Sequence, residues 1–86
     1  MTIGPSLHHV VFAVAPERQA AVVTMFTELG FSFNAAELTE LGVHVQLDWD
    51  RGVELISPVP GSTASVATSV NDFLDRHGDG IYTVVV

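Results

Sequence analysis

Two rhythms of apolar residues run along the chain. His8–Val14 (HHVVFAV) is mostly β-branched and apolar, and a period of two puts Val10, Phe12 and Val14 on one face and His9, Val11 and Ala13 on the other. The first of these faces is expected to be core beneath a helix. Pro16 suits a first helical position, Glu17 the positive helix end, and Gly30 a left-handed stop, which predicts a helix over Pro16–Leu29. Its buried stripe is expected to be Val22, Met25, Phe26 and Leu29. Phe31-Ser32-Phe33 reads as the opening of a second strand. Val43–Trp49 reads as a third, with Val43, Val45, Leu47 and Trp49 alternating against His44, Gln46 and Asp48. The tight turn Asp50-Arg51-Gly52 leads to a fourth strand, Val53–Ile56, which Pro58 should end.

Ser57–Thr68 is rich in Ser, Thr, Pro, Gly and Ala and predicts a connector over the mouth of the sheet. Ser69 and Asp72 have the spacing of a capping box, Val70, Phe73 and Leu74 supply an apolar face, and Gly78 can stop the resulting short helix. Ile81–Val86 (IYTVVV) has strong strand propensity and is apolar on both faces, so both faces should need cover.

Composition sharpens that last point. A chain of 86 residues has room for one domain and buries only about 60–65% of its unfolded surface. With 48% hydrophobic and 15% charged residues it carries more apolar surface than a lone small domain hides easily, so a homodimer is the expected state. Ten carboxylates against three arginines, with no lysine, give a net charge of −7. That balance argues against nucleic acid and against an anionic membrane surface as partners. Without cysteine there is neither a disulfide framework nor a thiolate metal site, and a cytoplasmic protein is the simplest reading.

Three segments, LHHVVFAV, GVELISPV and NDFLDRHGDGIYTVVV, in this order resemble the vicinal-oxygen-chelate superfamily of glyoxalases, bleomycin-resistance proteins and methylmalonyl-CoA epimerases. The resemblance covers almost the whole chain. It implies an α+β fold, a βαβββ glyoxalase-like half-barrel with a curved mixed sheet over residues 1–80. Residues 81–86 would be an extra strand similar to the start of a second module, the barrel being completed by dimerisation.

The resemblance also implies a site. His9 matches the first-strand metal ligand and Glu54 the fourth-strand ligand, with Glu54 a candidate catalytic base as well. The implied cofactor is a divalent ion (Zn, Ni, Co, Fe or Mn). Strand parity permits both side chains to enter one cavity, since His9 shares a face with Val11 and Ala13, and Glu54 with Ile56. Thr83 stands where a second module would carry its His, so one chain supplies half the ligands and two copies would supply four.

His44 and Gln46 are candidate substrate contacts, the alternative being that they form the wet face of an antiparallel strand. His8 is expected to point away from the cavity, His77 to sit at a helix end, and Trp49, Phe31 and Phe33 to be core or interface anchors. Two functional classes follow. One is a metal-dependent isomerase, epimerase or lyase acting on a small substrate with adjacent oxygens. The other is a metal-free small-molecule binder of the bleomycin-resistance kind, or an inactive first half of a two-module protein.

Overall fold

In the computed structural model, which describes residues 8–85, five strands form one open mixed sheet in the order β2-β3-β4-β1-β5. Leu7 of the first motif and Val86 of the last lie outside the described residues. The strands are β1 (His9–Ala13), β2 (Asn34–Leu38), β3 (Val43–Asp48), β4 (Val53–Pro58) and β5 (Gly80–Val85). β1 lies between β4, to which it is parallel, and β5, to which it is antiparallel. β2, β3 and β4 make an antiparallel meander. Among the described residues no helix is long and apolar enough to cross a membrane.

The expected hairpin forms as its alternation demands. Asp48 pairs with Val53 and Leu47 with Glu54 across the turn, where Gly52 adopts φ +70°. A Cβ at Gly52 would sit 2.9 Å from the His8 carbonyl oxygen, so the turn requires glycine for space as well as for conformation.

The main core cluster lies on the other face of β1 from the one expected, while on the expected face Val14 is buried as well. Val11 and Ala13 are buried with Val43, Val45 and Ile56, and the residue that caps them is Val70. Val70 belongs to the second helix, α2 (Ser65–His77), whose Ala67 and Val70 are both buried. Val10 and Phe12 are only half-buried. The reason is visible in the helices. α2 segregates its apolar residues onto one side, with Val66, Phe73 and Leu74 packed around Val70. The first helix begins as a 3-10 turn (Pro16–Arg18) and continues as α1 (Gln19–Glu28), where small, apolar and polar residues alternate around the whole circumference. No residue of α1 is fully buried, and Leu29, expected in its buried stripe, is 70% exposed.

Two further boundaries move. Phe31–Phe33 is a loop, with β2 starting at Asn34, because the two phenylalanines pack on Phe26 with ring centroids at 5.0 and 5.9 Å. Ser32 donates its N–H to the Asp48 carboxylate instead of to a strand partner. α2 starts at Ser65, so the Ser69–Asp72 pair lies inside the helix, where Ser69 hydrogen-bonds the Tyr82 hydroxyl. Gly78 ends α2 at φ +73°, as its position predicts.

A bidentate clamp then directs the chain into β5. Arg18 donates to both oxygens of Asp79, at 2.7 and 2.8 Å, and Asp79 also accepts the Ala15 N–H. The Arg18 guanidinium holds the Asp79 carboxyl below the usual carboxylate range.

Candidate functional site

The register between β1 and β4 sets Val11 beside Glu54 and Ala13 beside Ile56, so His9, Val11, Glu54 and Ile56 share a face of the sheet. α2 covers the Val11 end of that face. At the other end His9, which is 8% exposed, places Nε2 3.0 Å from Glu54 Oε1. The other ring nitrogen of His9 is also engaged, with Nδ1 2.6 Å from Nδ1 of His8. His8 precedes the first residue of β1, where strand alternation no longer dictates direction, and its ring turns to meet His9 at a centroid distance of 4.8 Å. The expectation that His8 faces away is therefore corrected.

Trp49 stands against both imidazoles edge-on, at 5.3 Å from His8 and 5.8 Å from His9, and is 61% exposed. It also forms one wall of a trough of about 400 Å³ that Asn34, Leu38, Leu47 and Glu54 help to line. Glu54 is the only ionisable group among the lining residues. Asp48 fixes the turn that carries Trp49. Its buried carboxylate accepts the N–H of Ser32 and both the N–H and the guanidinium of Arg51, and these donors, Ser32 first, hold it below the usual carboxylate range.

His44 and Gln46 do not join this group. Because Leu47 is the residue beside Glu54, its neighbours in β3 project from the opposite face. There they line a separate notch of about 180 Å³ with Gln19 and Glu37, and His44 Nδ1 lies 3.4 Å from Glu37. His77 ends α2 against Phe73. Trp49 and His8 are the residues whose place at the site the sequence reading missed. For Trp49 the signal was present, since it continues the Val45, Leu47 face across a short turn.

The donor set tests the implied metal. Of the two implied ligands, His9 and Glu54, each already engages the other, and the second ring nitrogen of His9 is taken by His8. Among the described residues no group of three or more His, Asp or Glu side chains could hold an ion. A catalytic divalent metal commonly takes three protein ligands, so the described residues of one chain do not by themselves make up a complete site.

No family model and no curated protein matches the sequence. Several solved structures resemble the fold. A hypothetical protein, BH1468, from Bacillus halodurans C-125 superposes with a TM-score of 0.70 at 19% identity, over 92% of this chain and 55% of that one. Methylmalonyl-CoA epimerase from Mycobacterium tuberculosis gives 0.65 at 22% identity, over 96% of this chain and 57% of that one. The chain thus spans little more than half the length of either. At these identities the likeness establishes architecture: the open mixed sheet is a glyoxalase-like half-barrel module.

Proposed function

We propose that the chain is a metal-free small-molecule-binding module, one half of a cleft whose other half is a second copy. The observation that carries this reading is the mutual engagement of His9 and Glu54 at 3.0 Å beside a mostly apolar trough walled by an exposed Trp49. A trough of about 400 Å³ falls within the range of small-ligand sites, which are mostly apolar with a few placed polar groups. It is open on one side. A second copy is the natural cover, because β5 ends the described sheet with an unpaired edge to which another sheet can add, and Ile81, 58% exposed, and Val84 give that edge apolar surface.

Protein stripped with a chelator should be stabilised against heat by neutral or basic aromatic compounds, since a ligand that binds only the folded state raises its apparent stability. Sedimentation equilibrium should give a dimer, and a chain ending at Gly80 should dimerise more weakly or fail to fold. Stabilisation by divalent ions alone would sink the proposal.

The meeting of His9 with Glu54 favours one second reading, a metal-dependent isomerase, epimerase or lyase in which two copies pool four donors and Glu54 also acts as base. Stoichiometric metal in gently purified dimer, lost in both His9→Ala and Glu54→Ala, would support that reading over the first.

A further inference from the structure

We infer that the outer edge of β2 is a docking site for an extended basic peptide, which adds to the sheet as a further strand and alternates its side chains between two hollows. β2 and β5 are opposite edges of the sheet, so a second copy seated on β5 leaves β2 accessible. The edge is independent of what small molecule fills the trough.

Three features of β2 point to an added strand. Among the described residues it pairs with β3 alone, in an unbroken register from Asn34 beside Leu47 to Leu38 beside Val43. Its other edge therefore presents a row of backbone N–H and C=O groups, and no proline interrupts them. Every residue of the strand is exposed. Both faces are also hollow beside it. On the Leu47 face the trough of about 400 Å³ reaches Asn34, Ala36 and Leu38, and on the His44 face the notch of about 180 Å³ reaches Ala35 and Glu37. Ala35 and Ala36 carry only a methyl each, so both hollows stay open to the edge. A strand laid along β2 turns one side chain into the trough, beside Ala36, and the next into the notch, beside Glu37.

Charge selects the occupant. The trough side takes a large apolar side chain, against Leu47 and Trp49. The notch side takes a cation. Glu37 is more than half exposed, Glu40 follows it at the rim of the β2–β3 turn, and each of the three arginines is paired with another carboxylate: Arg18 with Asp79, Arg51 with Asp48 and Arg76 with Asp72. A second copy fits this edge poorly. Two β2 strands paired antiparallel about Ala36 would bring both Glu37 carboxylates to one face, a diagonal step of about 7–8 Å apart. Each chain already carries a net charge of −7. β5 has no such bar, since Gly80–Val85 contains no charged residue.

The test uses the full chain and an acetylated, amidated hexapeptide alternating leucine and arginine. The peptide should change the fluorescence of Trp49, the only tryptophan, and slow hydrogen exchange in β2 without protecting β5. A block isomer, with all its leucines before all its arginines, has the same charge without the alternation. A version N-methylated at every residue has no backbone donor. Each should bind roughly tenfold more weakly or worse. Glu37→Lys, a change at an exposed side chain, should weaken the alternating peptide by roughly fivefold or more. Equal binding of the block isomer would reduce the contact to plain charge attraction and overturn the inference. Equal binding of the N-methylated version would overturn it by showing contact without a ladder. Protection on β5 in place of β2 would do the same, as would a peptide-free dimer whose β2 amides are already protected, since the edge would then belong to a second copy. If no peptide binds while aromatic compounds still stabilise the chain, peptide docking is lost and the small-molecule reading stands.

Discussion

The two faces of the sheet are covered by helices that hold on in different ways. On one face α2 packs an apolar ridge of Ala67 and Val70 between the side chains of Val11, Ala13, Val43, Val45 and Ile56. On the other, α1 is docked by a polar peg and an aromatic cluster. Gln19 donates to the buried Ser57 hydroxyl at 2.9 Å, Ser57 donates in turn to the Val14 carbonyl at 2.7 Å, and Phe26 touches Phe12, Phe31 and Phe33. Fully buried Leu55 lies on this face beside Phe12. The difference teaches where stability should reside. Apolar area removed from water scales with free energy, so the α2 side is the firm one, while the α1 side depends on a few directional contacts.

The most damaging way to probe this contrast is to hollow out the α2 side. Ile56→Ala should cost about 2–5 kcal/mol in urea unfolding, within the range for truncating a buried aliphatic side chain. Phe26→Ala should cost less, about 1–3 kcal/mol, because the ring is only half-buried although three aromatic neighbours surround it. An Ile56→Ala loss smaller than that of Phe26→Ala would reverse the ranking of the two faces. Ser57→Ala should cost roughly 1–2 kcal/mol by orphaning the Val14 carbonyl and leaving the Gln19 amide only its longer bond to the His44 carbonyl, and it should raise hydrogen exchange in α1 more than in α2.

Acid should discriminate between the faces in the same sense. Asp48 and Asp79 both have carboxyls held below the ordinary range. A carboxyl lowered on folding contributes stability that is present above its unfolded value, about 3.9, and is lost as pH falls through the folded one. Both groups clamp segments attached to α1: the Phe31–Phe33 loop through Ser32 and the 3-10 turn through Arg18. Below about pH 4, α1 amides should therefore lose protection before those of α2. Simultaneous loss on both faces would show that the clamps stabilise the module as a whole. The smallest effect is expected at Leu29→Ala, within about 0.5 kcal/mol, since this residue is 70% exposed.

Legibility in the sequence follows the same physics. The β3–β4 hairpin could be read because its alternation is strict and Gly52 punctuates it. The choice of core face on β1 could not, since Val10 and Phe12 compete with Val11 and Ala13 and alternation is silent when both faces are apolar. Phe31–Phe33 has a strand's rhythm but answers to Phe26, which lies in the preceding helix. At the candidate site, parity brought His9 and Glu54 to one face. The placement of His44 and Gln46 needed the pairing of Leu47 with Glu54, and register is a property of two strands together. His8 escaped because alternation ends where the strand does.

The parallel pairing of β1 with β4 has a consequence for the order in which the molecule assembles. Hairpin β3–β4 closes over a few residues, whereas the partners His9 and Glu54 are 45 positions apart, and β1 must be gripped by β5 as well. Closing long loops is entropically costly before any contact repays it, so the middle of the sheet should be completed after its meander flank. Trp49, the only tryptophan, sits on that early flank and meets His8 and His9 only when β1 arrives. Its fluorescence in refolding should then trail the appearance of secondary structure, an intrinsic clock for the moment the candidate site comes into being.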